Sequence, residues 1–293
     1  MDPARAFVGR AEELERLENA LVDARRGDGR FVLVTGTSGI GKTRLVDELV
    51  SRSGDAGLQV GIGRAWEGAG AGPWWIWEEA LRPLGVELSL PRSLADDESR
   101  FACLGLVAEA VRDLAETAPL ILVLDDLQWA DVSSLLAAKL VARSLARTSL
   151  LLIGTLRDPT PTKSDTHEVL LTDLRREATI LPLEALGRTE IEALLTQHGV
   201  KGAPAIDTTL RVTGGNPLFA TRLIADPETR ADLAGGRSPR MPSGLTGVLA
   251  HHLDLLDASD RAIIEWAAVA GDPFDVPLLV AASGRSANDV RGA

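Results

Sequence analysis

Residues 31–50 read FVLVTGTSGIGKTRLVDELV, and this stretch decides the fold. Phe31, Val32, Leu33, Val34 and Thr35 are apolar or β-branched and read as a buried strand. Gly36, Thr37, Ser38, Gly39, Ile40, Gly41, Lys42 and Thr43 then fit G-x-x-x-x-G-K-[ST]. Beyond them Leu45, Val46, Leu49 and Val50 recur at helical spacing, with Arg44, Asp47 and Glu48 between them. Strand, glycine-rich loop and helix in that order are the context a phosphate-binding loop needs. Glycines allow backbone turns closed to other residues and a close approach to an anion. The loop N–H groups and the helix N-terminus would face the phosphates. Lys42 is positioned to reach the β- and γ-phosphates, and the Thr43 hydroxyl to ligate Mg²⁺. A glycine turn that binds nothing is the alternative, and it leaves Lys42 unexplained.

A second buried run, Leu120-Ile121-Leu122-Val123-Leu124, ends in Asp125-Asp126. In a parallel sheet such an acidic strand end opens beside the phosphates. Asp125 would hold Mg²⁺, and Asp126 could orient or deprotonate the attacking water. The competing reading has both acids merely capping the next helix. A third run, 150–155, leads to Arg157, which could sense the γ-phosphate or form a surface ion pair.

The rest of the chain supports α/β architecture with parallel βαβ units up to about residue 184. A helix over 11–26 has Leu14, Leu17, Leu21 and Val22 on its apolar face. Strands are predicted over 58–64 and 178–181. Helices are predicted over about 74–84, 96–117, 132–145 and 164–176. Phe101, Leu104, Val107, Val111 and Leu114 would share one side of the second of these. Trp66, Trp74, Trp75 and Trp77 cluster in sequence; a stacking platform is conceivable, and core packing is the commoner use. From Gly187 onward the pattern is helical, with 226–244 read as a linker and further helices over 245–256, 259–270 and from 277.

Length allows one large domain or two to three small ones. The net charge of −11 disfavours direct contact with a nucleic-acid backbone. Cys103, the one cysteine, lies in an apolar run and reads as a buried structural thiol. No signal peptide or membrane-length apolar run is seen, so a cytoplasmic location is expected. His251 and His252 are adjacent and do not form a chelating pair on a helix; His167 and His198 are isolated.

Residues 7–10 (FVGR), 36–43, 122–131 (LVLDDLQWAD), 154–158 (GTLRD) and 213–219 (TGGNPLF) form an ordered set. Together they resemble the STAND ATPases, a branch of AAA-type P-loop proteins, and most of all the ATPase modules of large LuxR-type bacterial transcriptional regulators and those that follow some bacterial cyclase and kinase domains. The resemblance covers nearly all of the chain. It implies a nucleotide-binding domain (1–184), a helical lid (185–232), and a linker with the start of a winged helix (233–293). It implies that Val8, Gly9 and Arg10 lie near the adenine and that Pro217 packs on the base. With residues 36–43 and Arg44, these make up the expected ATP/ADP-binding set. Lys42, Asp126 and Arg157 are the expected catalytic residues, with Arg157 as the sensor arginine; Thr43 and Asp125 are the expected Mg²⁺ ligands. The implied activity is a regulatory switch with slow hydrolysis. ADP would hold it closed, and ATP would release surfaces for self-association. The chain stops inside the expected winged helix, so a fragment of a longer protein is expected. A motor or small-molecule phosphotransferase is the rival reading; neither an acceptor pocket nor an arginine-rich closing lid can be identified. An inactive scaffold is a third, which intact Lys42, Thr43 and Asp125 disfavour.

Overall fold

The computed structural model describes residues 7–54, 57–67, 72–88, 90–91, 97–160, 164–237, 239, 253, 258–270, 276–287 and 290. Five strands form one parallel sheet: β1 (Arg30–Gly36), β2 (Gln59–Arg64), β3 (Leu120–Asp125), β4 (Leu150–Arg157) and β5 (Thr179–Pro182). Their order is β2-β3-β4-β1-β5. Each central strand is apolar on both sides because helices cover both faces. Val32, Val34, Ile121, Val123, Leu151 and Ile153 meet α1 (Ala11–Arg25) and α2 (Lys42–Arg52) on one face. Phe31, Leu33, Leu120, Leu122, Leu150 and Leu152 point to the other. There they pack with α3 (Trp75–Leu81), α4 (Asp97–Thr117), α5 (Val132–Arg143) and α6 (Asp165–Glu177). Fully burying one such side chain contributes about 1.5–3 kcal/mol.

Sheet register matters most for function. Gly36 pairs with Arg157 and Arg64 with Asp125, while Leu124 pairs with Gly154, so β2 and β3 finish about two residues short of β1 and β4 at the same end of the sheet. The acidic strand end and the glycine-rich loop therefore share one mouth, as the rule for open parallel sheets requires.

The tryptophans divide. Trp74 and Trp77 are fully buried, and the Trp77 indole donates to the Ser134 carbonyl at 3.1 Å. These two are core, while Trp66 is 60 % exposed. Cys103 is buried, as expected. Three expectations are corrected. Val22 is 41 % exposed, and Ala24 takes its place on the buried face of α1. Phe101 is 73 % exposed, so the packed side of α4 runs through Cys103, Leu104, Val107 and Val111. Part of the predicted linker is the helix Pro227–Ala234. Asp226 caps it by accepting from the Thr229 amide at 2.8 Å, and proline suits the first helical turn. An Asp-Pro pair that looks like a chain breaker is thus a helix start.

By internal contacts the chain forms two units: Met1–Leu194 with Thr213–Leu218, and Leu195–Val212 with Phe219–Ala293. The first holds the sheet. The second is helical among its described residues, and its helices Ala258–Ala270 and Val276–Ser283 pack through Ile263 and Leu279. The expected helix over 245–256, with His251 and His252, lies outside the described residues apart from Leu253; of the expected winged-helix region, 253, 258–270, 276–287 and 290 are described.

Candidate functional site

The loop after β1 turns through left-handed backbone at Gly39 (φ 75°) and Gly41 (φ 102°) before α2 begins at Lys42. A Cβ on Gly39 would sit 2.9 Å from Leu218 Cβ, so that position tolerates no side chain. The Lys42 side chain folds back over the loop, and its Nζ donates to the Gly36 carbonyl at 2.8 Å and the Thr37 carbonyl at 3.0 Å. Burial pushes the Lys42 ammonium below the usual lysine range; Asp126 and Asp125 oppose the shift, and Arg157 adds to it.

Thr43 Oγ1 donates to Asp125 Oδ2 at 3.1 Å. Asp125 is only 2 % exposed, yet it is well supplied with donors. Thr155 Oγ1 donates to its Oδ1 at 2.6 Å, and Arg64 Nε to its Oδ2 at 3.0 Å. The same Thr155 hydroxyl accepts from the Asp126 amide at 2.8 Å. Asp126 adopts left-handed backbone (φ 60°), which turns the chain sharply out of the strand. Its Oδ1 accepts from Gln128 Nε2 at 2.8 Å, while Gln128 Oε1 accepts from the Arg157 amide at 3.1 Å. A fully buried glutamine thus ties the carboxylate after β3 to the end of β4. The pair Asp125-Asp126 does not cap α5; Asp131 does, accepting from the Ser134 amide at 3.0 Å.

The Arg157 guanidinium lies over the Trp129 ring, 5.4 Å from its centroid, and 3.4 Å from Glu67 Oε2. It is close enough to Lys42 to act on its charge. Arg44 begins the exposed side of α2, with its guanidinium 3.9 Å from Glu48. Val8 and Gly9 precede α1, and Gly9 (φ 69°) leaves room only for the Glu190 side chain. Arg10 is largely buried and donates to the Glu184 and Ile40 carbonyls and to Glu13. It holds the start of α1 to the loop and to the segment after β5. Beside it lies a cavity of about 540 Å³ lined by Gly9, Arg10, Ala185, Leu186 and Gly187 among others.

The TGGNPLF segment reaches the same loop from far along the chain. Asn216 Nδ2 donates to the Ser38 carbonyl at 2.9 Å, and the Leu218 amide to the Gly39 carbonyl at 3.2 Å. Pro217 sits between them as the first residue of the helix Pro217–Ala225.

Lys42, Thr43, Asp125, Asp126 and Arg157 are thus brought together as the sequence predicts. Four further residues join them: Arg64, Gln128, Thr155 and Asn216. Gln128 and Thr155 lie inside motifs already singled out, but no spacing marks their roles. The chemistry of the donors fits a divalent cation with a phosphate ester: a hydroxyl and a carboxylate as hard oxygen donors, an ammonium, and a loop whose left-handed glycines suit the approach of an anion.

A parallel sheet with a glycine-rich loop after its first strand and an acidic end on β3, one strand removed from β1 across β4, defines a P-loop NTPase. Comparison with known proteins narrows this. The AAA ATPase domain family matches residues 6–153, just over half of the chain, and the chain belongs to that family. Membership implies nucleotide binding. An uncharacterized protein of Rhizobium meliloti (strain 1021) is 25% identical over 320 aligned positions; these cover 93% of this chain and 30% of that protein. The chain therefore spans under a third of the length of that curated relative. Among solved structures, a Walker-type ATPase of Pyrococcus abyssi superposes with a TM-score of 0.56 at 15% identity, covering 94% of this chain and 87% of that one. The Aeropyrum pernix Orc1 protein, solved in complex with DNA, gives 0.51 at 15% identity, covering 99% and 83%. At such identities these two likenesses concern the fold alone. Among the described residues no helix is long and apolar enough to cross a membrane.

Proposed function

We propose that the chain is an ATP/ADP-binding switch module of a bacterial signal-transduction or transcriptional regulator of STAND type, with slow Mg²⁺-dependent hydrolysis. The carrying observation is the hydrogen-bonded chain from Thr43 through Asp125, Thr155 and Asp126 to Gln128 and Arg157. It links the start of α2, just after the phosphate loop, to the ends of β3 and β4. The ordered motif set quoted above supports the STAND and LuxR-type assignment.

In this reading Lys42 exchanges the Gly36 and Thr37 carbonyls for the β- and γ-phosphate oxygens. Thr43 and Asp125 hold Mg²⁺. The metal, when bound, neutralises charge between those phosphates. Asp126, held by Gln128, orients or deprotonates the attacking water. Arg157 leaves Glu67 and Trp129 for the γ-phosphate, so its position depends on whether ATP or ADP is present. Val8, Gly9 and Arg10 border the base. The segments 185–232 and 233–293 serve as lid and as linker with winged helix, and the ATP state self-associates.

Pro217 carries the sharpest local prediction. Its ring is a rigid apolar surface at a helix start, where a missing N–H costs nothing. If it packs on the adenine, Pro217→Ala should speed ADP release about three- to tenfold, or about 0.6–1.4 kcal/mol. Stopped-flow release of a fluorescent ADP analogue measures this. An unchanged rate in a variant of unchanged stability would make Pro217 a helix start and no more.

No direct contact with nucleic acid is proposed. Asp and Glu number 42 against 31 for Lys and Arg, so the chain repels a phosphate backbone as a whole. A mobility-shift assay on duplex DNA at physiological salt should show no retarded band. A band that persists with competitor would refute this.

A further inference from the structure

We propose that Arg64 is the counter-ion of Asp125 when no divalent cation is bound, and that it competes with Mg²⁺ for that carboxylate. It would thereby set how strongly nucleotide binding depends on the metal. The inference rests on the nucleotide-binding reading above and assigns a role to a residue outside the loop and strand motifs.

Sheet register brings the pair together. Arg64 and Asp125 are the last residues of β2 and β3 and face each other in the parallel ladder. The carboxylate is the fixed member. It is almost wholly buried and accepts from two threonine hydroxyls. Arg64 is the movable one: its side chain is 58 % exposed, while its amide is anchored separately by Glu79 Oε2 at 2.6 Å. The guanidinium can leave without disturbing the strand.

The donor count gives the competition. A carboxylate oxygen has two lone-pair sites. Oδ1 takes Thr155 at 2.6 Å and the longer branch from Thr43 at 3.3 Å. Oδ2 takes Thr43 at 3.1 Å and Arg64 at 3.0 Å. The place on Oδ2 that a cation or its bound water would need is the one Arg64 fills. A guanidinium and a divalent cation repel each other there, so each is displaced by the other. Without metal, the arginine keeps one positive charge on Asp125, the carboxylate that Thr43 also reaches. Nucleotide binding should then survive chelation better than in a site lacking this arginine.

The test is a fluorescent ADP analogue titrated into the full chain, with free Mg²⁺ varied from chelator upward at constant ionic strength. The parent should lose less than about threefold in affinity when Mg²⁺ is removed, whereas Arg64→Ala should lose at least about tenfold. Half-saturating Mg²⁺ should fall at least about threefold in Arg64→Ala, with Arg64→Lys between the two. Should the alanine variant unfold, Arg64→Gln keeps the stem, loses the charge and serves the same comparison. A parent that binds nucleotide, with half-saturating Mg²⁺ unchanged in the charge-free variants, overturns this inference alone. A parent that binds no nucleotide under either condition overturns the nucleotide-binding reading as well.

Discussion

Replacing Lys42 with alanine is expected to weaken ADP and ATP binding at least about a hundredfold, or about 2.7 kcal/mol. Its ammonium donates to two loop carbonyls, and phosphate oxygens would take their place. Each charge-assisted bond lost is worth about 1.5–3 kcal/mol, so two lost bonds exceed a hundredfold comfortably. The fold should persist. Lys42 is the first residue of α2, and alanine is the best helix former. Its loss takes one donor from each of the Gly36 and Thr37 carbonyls; the Gly36 carbonyl keeps the Asp158 amide at 3.1 Å, and Thr37 lies in an exposed position where water can replace the ammonium. Titration calorimetry on parent and variant, with far-ultraviolet circular dichroism as the folding control, measures the effect. Affinities within threefold of each other would remove the phosphate-binding role from the loop.

The second large effect belongs to Asp126. Asp126→Asn should lower phosphate release at least about a hundredfold, the scale of a lost general base, with ATP affinity within about threefold of the parent. The substitution is conservative where it needs to be. Asparagine tolerates the left-handed backbone at this position, and its carbonyl oxygen can still accept from Gln128 Nε2. What it cannot do is take a proton from water. A colorimetric phosphate assay beside a binding titration separates the two effects. Undiminished release would mean that the Asp126 carboxylate only holds Gln128, and through it the end of β4.

The fold was legible where chemistry and hydrophobic pattern agree. The 31–50 stretch shows a strand, a loop and a helix, and β1 and α2 occupy those positions. Continuous apolar runs at 120–124 and 150–155 mark β3 and β4 because both their faces are covered. Acidic and basic residues at their ends are readable as site residues because strand ends in parallel sheets open on the site. Arg64 was not readable in this way. It ends a short strand with two glycines, and only the register against β3 puts it beside Asp125. Thr155 is a buried strand residue in the sequence; its hydroxyl matters because β4 lies next to β3. Asn216 lies 178 residues from the loop it touches, so no local pattern connects them. Periodicity alone also assigned Phe101 and Val22 to buried faces, although each sits at the margin of an apolar stripe where the neighbouring element does not reach.

The central claim is that the site holds nucleotide as a switch and does not turn it over as a motor or kinase would. Arg157 engages Glu67 and Trp129, and Lys42 folds onto its own loop; in the proposed reading both charged groups change partners before ATP is engaged. The most direct measurement is steady-state phosphate release by the parent chain in saturating Mg²⁺ and ATP. The account predicts turnover far below about 1 per second, with ADP retained after rapid gel filtration; sustained turnover at roughly 1–100 per second would contradict it.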